Sequence, residues 1–187
     1  MNQFDITTLL ANCNSGDVRA IAEFVEIFRP DIFRMALSIL DDPAEADEAA
    51  QDTLLLALKS LHSFRGECKF TNWLYAITLN VCRGHLRKQR NRERLMHILS
   101  DVFRMQGLDN RHPEEQSIQS EIEAHIWRAI QSLPHRLREV ITLRYYHVLP
   151  ISEIAEILRV SERAVHYRLR NAHERLRGTL DERKLET

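Results

Sequence analysis

Apolar residues recur at spacings of three and four along most of the chain, with polar residues between them. This spacing places apolar side chains on one face of a helix, whereas a half-buried strand would alternate. One such stripe predicts a long helix with a single core-facing side: Phe70, Leu74, Ile77 and Val81. Further stripes lie on both sides of Pro30, where we expect a second helix to begin. The pattern predicts an all-α fold without a sheet.

The helical spacing is lost between residues 100 and 117, a stretch that contains Gly107 and Pro113. Such a stretch is typical of a connection between folded parts. Beyond it the spacing resumes and predicts four more helices. We therefore expect two small helical domains, at residues 1–95 and 118–187, joined by a linker at residues 96–117.

The composition is that of an ordinary folded chain, with 187 residues of which 44% are hydrophobic and 28% charged. No stretch approaches the roughly 18 uninterrupted apolar residues of a membrane span, and the N-terminus lacks the features of a signal peptide. We expect a cytoplasmic protein without membrane insertion. Three widely spaced cysteines in a reducing compartment are expected to be free thiols.

The net charge of −1 conceals segments of opposite sign. Residues 1–60 carry 4 Lys or Arg against 11 Asp or Glu, whereas residues 61–112 carry 10 against 4. Residues 159–177 hold six arginines and two glutamates. An acidic part followed by basic parts is typical of a protein that bridges a basic or polar protein surface and a polyanion.

Four carboxylates recur at helical spacing, which predicts that they share one helix face: Asp41, Glu45, Glu48 and Asp52. Like charges at this spacing repel by roughly 0.2–0.5 kcal/mol per pair, so we expect a docking face for a basic surface. A merely solvated face is the alternative. A second alternative is a Mg²⁺ site, because Asp41, Asp42 and Glu45 resemble an aspartate-rich motif of prenyl-diphosphate enzymes. The phosphate clamp and large apolar cavity of such enzymes are not evident.

A row of arginines has the same spacing, at positions 83, 87, 90 and 94, and matches a row of phosphates. Just upstream, aromatic side chains are interleaved with cations, a combination that stacks exposed bases and follows a single-stranded backbone: Phe64, Arg65, Lys69, Phe70, Trp73 and Tyr75. Core packing is the alternative for Phe70 and Trp73. A zinc site at Cys68, Cys82 and His85 is a further alternative, although a structural zinc site needs four ligands.

Residues 150–177 have the pattern of a helix-turn-helix, with the turn at Arg159 and Val160. We expect Ser152 and Ser161 to cap the two helices. The second helix leaves a polar set away from the core that can reach base edges and phosphates in a major groove: Arg163, His166, Tyr167, Arg170 and Asn171. Arg168 lies two residues from Arg170 and therefore points in another direction. A helical hairpin without DNA is the alternative.

Three blocks of the chain resemble the extracytoplasmic-function (group 4) class of bacterial sigma-70-like sigma factors, in that family's order and over nearly the full length. Residues 43–54 resemble region 2.2, residues 64–80 resemble regions 2.3 and 2.4, and residues 133–177 resemble region 4. The resemblance implies a protein that binds core RNA polymerase and directs it to promoters. It also implies an anti-sigma partner and a protein that is not an enzyme by itself, without cofactor, metal or small-molecule substrate.

The resemblance also implies roles for individual residues. Region 2.2 docks on the β′ coiled coil of the polymerase, which implies these contacts: Asp47, Glu48, Gln51, Asp52 and Leu55. Regions 2.3 and 2.4 open the −10 promoter element and hold a flipped base, which implies these: Phe64, Arg65, Lys69, Trp73, Asn80, Arg83 and Arg87. Region 4 reads the −35 element beside the β flap, which implies these: Ser161, Arg163, His166, Tyr167, Arg168, Arg170 and Asn171.

A helix-turn-helix regulator that binds duplex DNA without the polymerase is the runner-up. It would leave the row of carboxylates and the base-stacking residues without a role. In the predicted recognition helix, Arg163, Ala164 and Tyr167 stand where relatives have Gly, Thr and Ser. The base preferences of those relatives are therefore not transferred to this chain.

Overall fold

Helices form the regular structure in the described part of the chain. The computed structural model describes residues 3–103 and 127–182, with side chains described within residues 6–91 and 127–178. The α-helices are α1 Gln3–Asn14, α2 Val18–Leu40, α3 Pro43–Ser60, α4 Phe70–Phe103, α5 His135–Ile141, α6 Ile151–Leu158 and α7 Glu162–Glu182, and residues 127–131 are also helical. The prediction of an all-α fold is confirmed. Within these residues, no helix is both long and apolar enough to cross a membrane.

Pro30 lies inside α2, so the prediction that a helix begins there is wrong. A proline in a helix interior removes one backbone hydrogen bond and costs about 3 kcal/mol. The buried face nevertheless continues in phase across it, from Phe24 and Phe28 to Ile32 and Ile39. Burial of each such side chain contributes about 1.5–3 kcal/mol, so one continuous packed face outweighs the local cost.

The turn between α2 and α3 contains two aspartates with different roles. Asp41 ends α2 in the left-handed conformation, with φ 62°. Asp42 caps α3, because its Oδ1 accepts hydrogen bonds from the backbone N–H groups of Ala44 and Glu45 at 2.8 and 2.9 Å. Asp41 therefore lies outside α3. The prediction that it shares a helix face with Glu45 is wrong.

The first half of the chain, residues 3–103, buries an aromatic cluster. Phe70 begins α4, and its ring lies 6.0 Å from that of Phe24 and 5.3 Å from that of Phe28. Phe64 and Trp73 lie at the half-exposed edge of the cluster, with ring centroids 5.5 Å apart. Core packing, the alternative for Phe70, is confirmed because only 6% of this residue is exposed.

The second half, residues 127–182, contains the predicted helix-turn-helix. Val165 of α7 and Ile154 of α6 are fully buried in one apolar cluster. Ser161 caps α7, since its Oγ accepts a hydrogen bond from the backbone N–H three residues later at 3.2 Å. Ser152 lies inside α6, so the prediction that it is an N-cap is wrong.

The two halves pack against each other along a boundary that we call the seam. Met35 and Leu79 of the first half belong to the same hydrophobic cluster as Val140 and Leu143 of the second. Arg138 also donates a hydrogen bond across the seam to the backbone carbonyl of residue 39 at 2.7 Å. We call this state the closed arrangement. Of the predicted linker, residues 96–103 belong to α4, and the remainder lies outside the described residues.

Arg159 ends α6 in the left-handed conformation, with φ 55° and ψ 49°. A side chain in this conformation costs roughly 1–2 kcal/mol, and glycine avoids that cost. We expect Arg159→Gly to raise the free energy of unfolding by about 1 kcal/mol in chemical denaturation. Glu174→Gly is the control, because glycine at an exposed position inside α7 should lower stability by about 1 kcal/mol. A loss of stability in both variants would contradict the expectation.

Candidate nucleic-acid and protein interfaces

Three carboxylates of α3 gather around a buried histidine of α4. The His85 side chain is only 5% exposed, and its Nδ1 lies 2.8 Å from Glu45 Oε2. Its Nε2 lies 3.4 Å from Asp52 Oδ2, and Glu48 is exposed beside it. We call Glu45, Glu48 and Asp52 the acidic face. The structure thus brings together three of the four predicted carboxylates, and His85 lies between two of them.

The other predicted polymerase contacts lie on the same helix. Asp47 accepts hydrogen bonds from Arg29 at 2.6 Å and from Gln51 at 2.8 Å. Leu55 is 56% exposed, and its neighbour Leu56 is also exposed. Helix α3 therefore presents carboxylates together with exposed leucines. Such a surface suits a protein partner that offers basic and apolar side chains.

The structure does not assemble the two metal sites considered as alternatives. Asp42 uses its Oδ1 to cap α3, and Asp41 accepts a hydrogen bond from Trp127 at 2.9 Å. Burial raises the pKa of the Cys82 thiol to about 12, whereas zinc binds the thiolate. The three cysteines are free, as predicted. Among the described residues, the grouping with metal-ligand spacing is Glu45, Glu48 and His85, and both ring nitrogens of this histidine already face carboxylates.

The residues predicted to contact the −10 element lie in the loop before α4 and along the helix as far as Arg87. Arg65 and Lys69 are exposed in the loop before α4, and Asn80 is exposed along the helix. Phe64 and Trp73 anchor this loop, because their rings pack on the buried Phe70 cluster. Their partial exposure leaves ring edges at the surface. The loop before α4 thus presents cations beside partly exposed aromatic rings, and Asn80 lies further along the helix, facing α3.

An apolar cavity of about 460 Å³ lies between α3 and α4. It has an amide, a cation and a histidine among apolar walls, and its lining is Leu56, Lys59, Ser60, His62, Ile77, Asn80 and Val81. Cavities of roughly 300–1,000 Å³ accommodate small organic groups. A base that leaves its stack needs apolar contact for its faces and hydrogen bonds for its edge. This cavity is the candidate site for such a base.

Carboxylates of the second half meet cations of the first half across the seam. Glu139 is fully buried and accepts hydrogen bonds from Arg83 at 2.7 and 2.9 Å. Lys69 forms an ion pair with Glu153 and holds the pKa of that carboxyl below its usual value. Two residues that we expect to contact DNA are therefore paired with glutamates in the closed arrangement.

Sequence reasoning did not identify these glutamates, nor Asn72. The Asn72 side chain is buried and donates to Glu156 Oε2 at 3.4 Å across the seam. Glu139 carried a signal, since it interrupts the apolar stretch around Leu137 and Val140. A carboxylate in such a place indicates a buried partner, but the sequence does not say which cation that partner is.

The predicted recognition helix is α7, and one side of it is open. Four of its predicted contacts are exposed: Arg163, His166, Tyr167 and Arg170. His166 and Arg170 line an open groove of about 520 Å³ that also contains Arg144 and Arg177. Arg168 is half-buried and lines a different cavity at the seam. The prediction that Arg168 and Arg170 point in different directions is confirmed.

Known proteins resemble the chain in both halves. It matches the family descriptions Sigma-70 region 2, over residues 24–92, and Sigma-70, region 4, over residues 124–176. It is 30% identical over 171 residues to the RNA polymerase sigma-H factor of Pseudomonas aeruginosa, with 89% of each chain covered. It is also 30% identical over 173 residues to the ECF RNA polymerase sigma factor SigW of Bacillus subtilis, with 88% of this chain and 91% of SigW covered.

A solved structure supports the fold. The sigma factor RpoE of Bartonella quintana, in complex with the anti-sigma factor NepR, has a TM-score of 0.66 and 21% identity to this chain. The comparison covers 88% of this chain and 98% of RpoE. The all-helical architecture is thus shared with a protein of low sequence identity.

Proposed function

Because the chain belongs to the extracytoplasmic-function class of the sigma-70 family, we propose specific roles for the surfaces described above. As an RNA polymerase sigma factor, it binds core polymerase and promoter DNA, directs the polymerase to promoters and initiates transcription. The acidic face and Leu55 of α3 dock on the β′ coiled coil. The surface around the start of α4 contacts the −10 element, and α7 reads the −35 element.

The observation that carries this assignment is the presence of three different surfaces on one chain. An acidic and apolar face suits a basic protein, a cationic aromatic surface suits melted DNA, and an open recognition helix suits duplex DNA. A duplex-binding regulator would need only the third. The test is co-purification with core polymerase followed by run-off transcription on genomic DNA. Binding to duplex DNA without any binding to the polymerase would favour the regulator instead.

The closed arrangement has to open when the factor works at a promoter. Elements at −10 and −35 are separated by roughly 25 base pairs, which is about 85 Å at about 3.4 Å per base pair. The pairs Arg83 with Glu139 and Lys69 with Glu153 hold the two halves within hydrogen-bonding distance. Both halves therefore cannot contact their elements while the seam is closed. We infer that docking on the polymerase separates them.

We expect Glu48→Lys to weaken binding to core polymerase by about tenfold, because a charge reversed at a complementary interface replaces attraction by repulsion. Glu48 is exposed beside His85, so the fold should be unaffected. Affinity is measured by fluorescence anisotropy of labelled chain at two salt concentrations, and the difference should shrink at higher salt. Glu26→Lys, an exposed glutamate on α2, is the matched control. Equal affinity of the Glu48 variant and the control would remove the docking role.

We expect Asn80→Ala to slow open-complex formation on a duplex promoter by about tenfold, since it removes hydrogen bonds to a captured base. Asn80 is exposed at the rim of the apolar cavity, whereas Trp73 also packs in the core, so Asn80 gives the cleaner substitution. A promoter with a pre-melted bubble should be affected less. Gln89→Ala, an exposed amide further along α4, is the control. Equal loss on both templates would argue against capture of a melted base.

We further propose an anti-sigma partner. The relative RpoE was solved in complex with its anti-sigma factor. In this chain, three large apolar or aromatic side chains are exposed in the segment after α5: Tyr145, Tyr146 and Val148. Clustered exposed apolar residues are typical of protein-binding surfaces. A protein that blocks run-off transcription through this surface should bind the Tyr146→Lys variant less tightly than wild type, and unchanged binding would place its contacts elsewhere.

We also propose the domain limits 1–95 and 118–187, with the linker at 96–117. The matched family regions, 24–92 and 124–176, fall inside these limits. Sigma factors are regulatory DNA-binding proteins, and we infer that this chain has no catalytic activity of its own. Its place of action is the cytoplasm, where bacterial transcription takes place.

A further inference from the structure

A cavity of about 500 Å³ lies at the seam, with α4 on one side and α5, α6 and α7 on the other. Five arginines contributed by both halves line it: Arg83, Arg87, Arg90, Arg136 and Arg168. Glu139 is the acidic residue of the lining, and both of its oxygens are taken by Arg83. Leu86, Leu158 and His135 complete the lining. The cavity therefore concentrates positive charge that its own carboxylate does not balance.

Among the described side chains, Arg83 forms an ion pair with Glu139. The other four arginines of the lining form none there: Arg87, Arg90, Arg136 and Arg168. Arg90 instead donates to Nδ1 of His135 at 3.2 Å, which requires a histidine with a free lone pair on that nitrogen. Burial is the main cause of the lowered pKa of His135. The positive charges of Arg90, Arg136 and Arg83 lower this pKa further, whereas the negative charge of Glu139 raises it. The site thus disfavours a further cation and favours an anion.

We propose that this cavity binds a small polyphosphate anion, with two or three linked phosphate groups, either free or carried by a nucleotide. Arginine offers planar pairs of N–H donors that match phosphate oxygens. The cavity volume lies within the range of small-molecule sites. Leu86 and Leu158 supply apolar wall beside the arginines, on which a nucleoside can pack. Arg87, Arg90 and Arg136 are exposed, so the cavity is open to solvent and a small anion can enter it.

The ligand recognises the closed arrangement in particular. Arg87 and Arg90 belong to the first half, whereas Arg136 and Arg168 belong to the second, so the four guanidinium groups converge only while the seam is closed. A ligand that binds one of two states more tightly shifts the population towards that state. The bound anion therefore opposes opening of the seam. It also opposes promoter binding through Arg87 and Arg168, a step that rests on the proposed function.

The test titrates inorganic tripolyphosphate into the full chain by isothermal calorimetry at constant ionic strength. We expect one anion per chain, with affinity lowered about tenfold by Arg90→Gln and by Arg136→Gln, because each loses a charge-assisted hydrogen bond. Arg90 belongs to the arginine row described above, but neither residue is among the individual −10 and −35 contacts proposed for this chain. Arg19→Gln, an exposed arginine on α2 away from the cavity, is the matched control and should bind like wild type. Circular dichroism establishes that each variant is folded.

Two outcomes would overturn the proposal: no binding to wild type, or equal affinities for wild type and all three variants. A parallel titration with GTP distinguishes the two sources of the anion. Tighter binding of GTP assigns the site to a nucleotide, whereas equal binding assigns it to the phosphate chain alone. The measurement contains neither polymerase nor promoter. Its failure would therefore leave the sigma-factor function untouched, and a failed run-off assay would leave the anion site untouched.

Discussion

Replacement of Arg83 by alanine is expected to open the seam. Glu139 is fully buried and both its oxygens accept hydrogen bonds from Arg83, and these bonds raise the pKa of the guanidinium above its usual value. Removal of one partner of a buried ion pair costs about 3–5 kcal/mol, because the other charge is left uncompensated. Separation of the halves returns Glu139 to water without unfolding either helix bundle. The radius of gyration from small-angle X-ray scattering should therefore increase.

The control is the double substitution of Arg83→Met and Glu139→Leu. Apolar replacement of both partners of a buried ion pair is often neutral or stabilising, so the double variant should stay compact. A single variant that keeps both the wild-type radius and the wild-type unfolding free energy would contradict the expectation. A double variant as open as the single one would show that the ion pair itself holds the seam, because methionine keeps an unbranched apolar side chain in place of the arginine stem.

Arg170→Ala is expected to relax the preference among −35 sequences by roughly 1–3 kcal/mol, the discrimination that a bidentate contact to a base supplies. Arg170 is exposed in the groove with His166, on the open side of α7. Arg168 lies on another side and is half-buried, which suits a contact to phosphate. Arg168→Ala should therefore weaken binding to all sequences and reduce the slope of the salt dependence by about 1.

Both variants are compared as holoenzyme in competition binding against a panel of −35 mutants. Arg19→Ala, which removes an exposed arginine from the other half, shows how far a change of net charge alone lowers affinity. Should Arg170→Ala keep the wild-type ranking of sequences while Arg168→Ala alters it, the roles of the two arginines would be exchanged. Loss of ranking in both variants would indicate that each contacts bases.

Local spacing predicted the helices well because burial of one face repeats with the period of the helix. The stripe that begins at Phe70 became α4, and the recognition helix became α7 with Val165 and Leu169 inside. The prediction that a helix begins at Pro30 was wrong because it rested on the backbone hydrogen bond that a proline removes. Packing of the continuous apolar face outweighs that local loss and keeps α2 in one piece. The stripe from Phe24 to Ile39 keeps its phase through the proline, and that phase was visible in the sequence.

The sequence could not predict the seam. Arg83 and Glu139 are 56 residues apart in sequence, and Lys69 and Glu153 are 84 apart. A charge on a helix reveals which side is polar, but the identity of its partner depends on how whole helices dock. The acidic face was found as a row of carboxylates. That His85 fills the space between them depends on how α3 packs against α4, and no spacing within either helix indicates it.

Because both halves share a hydrophobic cluster, opening of the molecule has a positive heat-capacity change. Separation exposes apolar surface of Met35, Leu79, Val140 and Leu143, and exposed apolar surface raises the heat capacity of the open state. The hydrophobic contribution to closure weakens on cooling, because burial of apolar surface has a negative heat-capacity change and its enthalpy becomes unfavourable at low temperature. The hydrophobic share of the free energy that holds the two halves together is therefore smaller in a cold cell than in a warm one.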